Sequence, residues 1–348
     1  MALAQQAILQ GGEEDGAGAR DRARRLAGSP ALRMIGRRLV AAVIVLWGVT
    51  FMTYLVMSAL PNDTAQTMLG LHATPAQVAA LNKALGLDKP FWVRYWHWFT
   101  NALHGNLGTT LEGQGVNHEL AVHLPVTLEI LGYALVVSLL LAIGLAVLAA
   151  RKPNGVADRI SLTISMLGLS AAPYAFAIFL IVVFAVQFGW FPVQSNGLGT
   201  GGLGTFFRQA TLPAASLGFG LFAIYTRLLR ADLVEQMQRE DYIVTARAKG
   251  LAPWRVLIRH ALRNSMFTLI TVVGTNLGTL IGGAAIIEAL FSVPGLGQDL
   301  LTSISNHDST MVEGIVLVFA LITVLGNLAA DLLYAVLDPR IRYGSSSS

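Results

Sequence analysis

The sequence predicts an all-α, polytopic membrane protein with six transmembrane helices, and three observations carry that reading. Apolar residues make up 54% of the 348 residues and charged ones only 13%, about half of the ~25% charged residues usual in soluble domains. Six stretches, at 39–60, 124–150, 160–188, 209–230, 265–289 and 313–337, are long and apolar enough to cross a ~30 Å hydrocarbon layer as helix. Cationic residues then alternate in density between them. With a cytoplasmic N-terminus, 20 of the 24 Lys and Arg residues fall inside: Arg20, Arg22, Arg24, Arg25, Arg33, Arg37 and Arg38, then Arg151, Lys152 and Arg159, those from Arg227 to Arg263, and Arg340 and Arg342. Only Lys83, Lys89, Arg94 and Arg208 lie outside, which places both termini in the cytoplasm by the positive-inside rule. This distribution accounts for the net charge of +4 and pI near 9.5 with membrane lipid as the partner, and no nucleic acid is needed.

Residues 1–32 mix Gly, acids and arginines without apolar periodicity and read as a mobile cytoplasmic tail. The first apolar run, Leu39 to Leu60, exceeds the 7–15 residue core of a cleaved signal peptide, so it spans. An external loop follows at 61–123. Within it, Trp92, Tyr95, Trp96 and Phe99 recur at i, i+3, i+4 and i+7, one face of a helix. That helix lies in the headgroup layer, or also forms a docking shelf for an external partner. Span 2 is Leu, Val, Ala and Ile almost throughout. Span 3 carries "SAAPYAFA", whose small residues and Pro173 predict a kinked inner helix.

After span 4, the segment 232–263 is too polar to cross and is expected as surface helix. Gly250 offers a left-handed stop and Pro253 suits the first turn of a second helix, giving a corner with small residues and Lys249 at its tip. Alone, that corner reads equally as a basic loop on anionic lipid. Span 5, "TVVGTNLGTLIGGAAII", places Gly274, Gly278 and Gly282 at every fourth position, a groove suited to a neighbouring helix or to a moving solute. Its polar Asn276 and Thr279, with Glu288 towards the external end, are candidate pathway residues. Glu129, Glu288 and Asp331 are the acids in or at the edges of the spans; none forms the mid-span cluster of a proton relay.

Chemistry-bearing motifs are missing. There is no Gly-x-x-x-x-Gly-Lys-Ser/Thr phosphate loop, no GxSxG elbow, and no cysteine for disulfides or thiolate sites. "HELAVH" spaces His118 and His123 five apart, where two metal-binding imidazoles on one helix face need four. No catalytic residue, metal site or bound cofactor is expected. The competing function classes are a subunit of an ATP-driven transporter, a stand-alone secondary transporter or channel, and a membrane enzyme.

The run "DYIVTARAKGLAPWRVLIRHALRNS" resembles the cytoplasmic coupling loop, the EAA loop, of permease subunits in binding-protein-dependent ABC importers. "LGLDKPFWVRYW", "GNLGTTL", "LPVTLEI", "IIEALFSVPGLGQDLL" and "DLLYAVLDPRIRYG" are similar to the dipeptide, oligopeptide and nickel branch, and the long first external loop resembles the first of two paired permeases. Val244 and Arg263 stand where the broader pattern has Glu and Pro. Asn62 and Thr64 depart from a common "PGDP", as "NHDST" does from "NRDYP".

The resemblance implies a type I ABC importer permease fold over 33–344, with 345–348 a terminal tail, in the plasma (inner) membrane of a bacterium or archaeon. It implies a second homologous permease, two cytoplasmic ATPase subunits or domains holding ATP and Mg, an external solute-binding protein, and a peptide substrate. Thr245, Ala246, Ala248, Lys249, Gly250 and Leu251 are the implied ATPase contacts, with Ala246 and Gly250 kept small for a close fit. Trp92, Tyr95, Trp96, Pro294 and Gly295 are the implied receivers of the binding protein.

Overall fold

The structure, a computed structural model, describes residues 30–59, 69, 73–84, 86, 88–198 and 202–337. Most of the expected N-terminal tail, Asn62, Thr64, Arg340, Arg342 and the terminal tail 345–348 lie outside the described residues, as does the Asp331 side chain. The described chain is helical, with one isolated antiparallel bridge between Thr109 and Gly115.

Helix α1 is Pro30–Ala59, and α2 (Pro75–Ala84) and α3 (Phe91–Leu103) follow. Then α4 is Val116–Arg151, α5 is Val156–Ser170, and α6 is Pro173–Leu180, prolonged by a π-helical turn Ile181–Gln187. After α7 (Leu203–Arg239) and α8 (Asp241–Ala248), α9 (Pro253–Val256) runs through a π turn, Leu257–Ala261, into α10 (Leu262–Phe291). The chain closes with α11 (Leu296–Ser305) and α12 (Ser309–Leu337).

Among the described residues, five helices, α1, α4, α7, α9–α10 and α12, are long and apolar enough to cross a membrane; α5 and α6 make a sixth span only as a pair bent by 107°. The bend has a local cause. Ala171 and Ala172 both take extended backbone, Ala172 as the residue directly ahead of a proline prefers, and Pro173 then opens α6 at its first position. A kinked inner helix was expected at 160–188. The broken span instead lies on the flank of this chain: Gly168 meets Ala223, the Phe176 ring stacks on Phe219 at 4.1 Å, and Met166, Tyr174, Phe179 and Val186 point outwards.

The centre of the bundle is α4 against α7, where small residues let backbones approach. A Cβ on Gly218 would sit 3.0 Å from the Ala134 carbonyl oxygen, and Ala134, Ala142, Ala146 and Ala210 are fully buried. Helix α10 packs on α7 and α12, and α12 on α1. One apolar cluster runs from the bundle through Leu229 and Leu233 into Ile243, Val256 and Leu257, so the segment after α7 is an extension of the core.

Helix α7 outruns its expected end at 230 because no Gly or Pro falls between 231 and 239; it stops where Glu240 turns extended. Its last turns are tied to α5 by Arg230, which donates Nε–H and Nη2–H to the two Asp158 carboxylate oxygens at 2.7 Å each.

Candidate functional site

The corner between α8 and α9 is built by local sequence. Gly250 has φ +77, its N–H donates to the Arg247 carbonyl at 2.9 Å, and the Leu251 N–H reaches back to the Ala246 carbonyl at 3.3 Å. This pair of bonds is a Schellman stop with Gly at the left-handed position, and Pro253 restarts the chain as the first residue of α9. The expected glycine stop and proline restart are both present.

Burial divides the corner into two sides. Ile243, Ala246, Val256 and Leu257 face the core, with Leu251 partly buried against it. Val244, Thr245, Ala248, Lys249, Gly250, Ala252 and Trp254 are exposed. Ala246, expected as a contact kept small for a partner, is only 6% exposed, so its small side chain lets α8 seat on the core instead. Val244, Ala252 and Trp254 were missed by the motif, although the helical spacing of Val244 and Ala248 was readable.

Further contacts hold the corner in place. The Arg151 guanidinium, at the end of α4, lies over the Trp254 ring at 5.8 Å, and Arg247 donates to the Met237 carbonyl at 3.0 Å. Tyr242 donates to Gln236; burial first, then the charges of Glu240 and Asp232, push its hydroxyl above the usual tyrosine range and keep it protonated.

Helix α10, the first long element after the corner, has an apolar side in the core and a polar side that this chain leaves uncovered. Asn264, Thr268, Thr271, Thr275, Thr279 and Gly282 are exposed and recur at spacings of three and four, one face of the helix. Leu269, Leu280, Ile281 and Ala284 face the other way into the core. Thr271 and Thr275 donate back to the Phe267 and Val272 carbonyls, which leaves their oxygens as acceptors.

Of the three expected pathway residues, Thr279 alone lies on this face. Asn276 is displaced by about 100° round the helix and donates to the Val272 carbonyl at 2.8 Å. The glycine stripe also divides: Gly274 packs on Ala330 and Gly278 approaches Thr323, whereas a Cβ on Gly282 would meet nothing within 4 Å.

Glu288 is fully buried and has a structural duty at the end of the bundle opposite the corner. Its Oε2 accepts the Gly297 N–H at 2.6 Å and the Gln298 N–H at 3.3 Å, while Thr127 Oγ1 accepts the Leu296 N–H at 2.8 Å. A carboxylate thus receives the first N–H groups of α11, where the helix dipole favours negative charge. Glycine is required beside it, since a Cβ on Gly295 or Gly297 would lie 2.5 or 2.8 Å from that oxygen. Gly295 is buried, so the expected docking residue is a packing residue, and Pro294 is partly covered.

On α3 the expected aromatic face exists but is split. Trp92 and Trp96 are exposed, whereas Tyr95 is 3% exposed among Phe51, Tyr54 and Phe91, with its hydroxyl near Thr50. Among the described residues, no three His, Asp or Glu side chains converge as a metal-holding group; His123 pairs with Asp299 instead.

Comparison with known proteins agrees in extent with this architecture. Residues 142–343 match the family model of the binding-protein-dependent transport system inner membrane component, and residues 31–116 match the N-terminal model of the corresponding membrane component. A dipeptide transport system permease protein of Alkalihalophilus pseudofirmus is 33% identical over 328 residues, covering 88% of this chain and 98% of that protein. A glutathione transport system permease protein of Pectobacterium atrosepticum is 34% identical over 308 residues, and a probable peptide ABC transporter permease protein of Sinorhizobium fredii is 33% identical over 308; each alignment covers 88% of this chain and 98% of the relative.

Proposed function

The chain belongs to the family of binding-protein-dependent transport system inner membrane components, and from that premise we propose that it is one of two paired permeases that carry peptides inward in an ATP-driven importer. In this reading the corner is cytoplasmic, as are both termini, and it docks on one of two ATPases. ATP and Mg are held there, and this chain catalyses no reaction. An external solute-binding protein delivers the peptide to the opposite end of the bundle.

The observation that carries the reading is the two-sided corner: Thr245, Ala248, Lys249, Gly250 and Trp254 on the open side, core residues on the other. A partner pushing on Thr245, Ala248, Lys249 and Gly250 acts through Ile243 and Ala246 on the ends of both α7 and α10. Close-packed interiors have little compressibility, so the displacement passes to the spans rather than being absorbed in the joint. Each nucleotide state of the ATPases binds one permease arrangement better and shifts the population towards it.

The threonine face of α10 lines the path in this account, completed by the second permease. Hydroxyl oxygens receive peptide N–H groups without selecting a side chain. Because the native sequence contains no cysteine, a Lys249→Cys chain offers a single cross-linking site. Short bifunctional reagents are expected to join it to a co-purified ATPase in an ATP-dependent way, and labelled peptide enters proteoliposomes only with the ATPases and ATP present. Uptake by this chain alone, without ATP, contradicts the proposal.

A further inference from the structure

At the end opposite the corner, external in the orientation proposed above, a recess of about 600 Å³ opens on the side of α3 away from its aromatic face. That volume falls in the range of sites for small molecules. Lys83, Lys89 and Arg94 line it, three of the four cations assigned to the external side, together with the acid Glu313. Arg94 is committed within the wall: its guanidinium lies over the Tyr54 ring at 5.9 Å and interacts electrostatically with Glu313. Lys83 and Lys89 are exposed, and neither pairs with a carboxylate among the described residues.

The rim is built. Asn117 accepts the Leu107 N–H at 3.1 Å and donates to the Gly105 carbonyl at 2.6 Å, while Asp308 accepts the Leu111 N–H at 2.9 Å. Gly108 has φ +93 and faces Thr310, whose methyl would be 2.9 Å from any Cβ there. A rim held in this way keeps the ordering cost of binding low. Trp98, also in the wall, has a buried indole N–H with no acceptor among the described residues.

We propose that this recess binds the carboxylate end of a short soluble peptide, with Lys83 and Lys89 as counter-charges. The carboxylate chemistry stands on the recess; the identity of its bearer as a peptide rests on the transport reading above. A lipid headgroup is disfavoured by orientation, because Trp92 and Trp96 mark the membrane side of α3 and the lining residues Arg94, His97 and Asn101 lie on the other.

The test uses the purified permease pair in nanodiscs of neutral phosphatidylcholine, without binding protein, titrated with trialanine and with trialaninamide. Trialanine is expected to bind saturably and the amide at least ~10-fold more weakly, with Lys83→Glu/Lys89→Glu costing trialanine a similar factor. Lys83→Gln/Lys89→Gln, which removes charge without reversing it, is expected to fall between. Equal binding of acid and amide, no binding of either, or indifference to both variants overturns the site. Binding confined to discs containing phosphatidylglycerol, or to a solute-binding protein in place of the peptide, overturns it as well. Carboxylate-specific binding without ATP-driven uptake by the assembled system refutes the transport reading and leaves the site standing.

Discussion

The Asp158 carboxylate is 1% exposed and receives two guanidinium N–H groups from Arg230 and the Asn154 N–H at 2.8 Å. Removing one partner strands a buried charge, which costs about 3–5 kcal/mol. Arg230→Leu, which leaves the Asp158 carboxylate buried without its cation, is therefore expected to lower the unfolding temperature in mild detergent markedly, and Asp158→Asn in the same chain to recover part of the loss; additive losses would show that the two residues do not act as a pair. Neither partner was legible as such. Arg230 read as one more cytoplasmic cation, and 72 positions separate it from Asp158, with no local spacing rule to join them. Gly250 is the opposite case, because a stop made by one glycine and a restart made by one proline are written within four residues. Glu288 drew attention as an acid near a span end, but its duty depends on α11 folding back to it, a contact between elements that spacing along one helix does not encode.

Among the elements, α10 divides the work between its sides. Gly274 abuts Ala330, whereas Gly282 faces open space in line with the threonines. Gly274→Leu is expected to cost about 1–3 kcal/mol by overpacking and to reduce folded yield. Gly282→Leu is expected to keep stability within about 0.5 kcal/mol while lowering peptide uptake several-fold. If both behave alike in unfolding and in transport, the division is wrong. The period-four glycines were visible in the sequence, but whether helix or solute meets each one depends on which way α10 is rotated. The bent span shows the same limit. Pro173 announced a break, yet only the extended backbone of both preceding alanines turns a kink into a 107° bend. Helix α11 was missed because "FSVPGLGQDLL" reads as a turn followed by too few residues for a periodic pattern, and it depends on the buried acid at its start.

For the molecule as a whole, hydropathy and charge distribution were enough for a helical membrane bundle, since both follow from the membrane as solvent. They could not assign the corner a partner, as a basic surface loop on lipid has the same composition. Its joint-like build became readable only when the core was seen to run continuously from Leu229 to Leu257. A corner that transmits force is tested at Ala248, exposed and clear of the core, rather than at the buried Ala246. The direct measurement is ATP-driven uptake of labelled peptide by the reconstituted importer carrying Ala248→Glu, with unfolding temperature measured on the same preparation. The unfolding temperature is expected within about 2 °C of the parent, as for an exposed helix position, with uptake reduced at least ~10-fold; parental uptake with the ATPases still bound would show that the corner transmits no force.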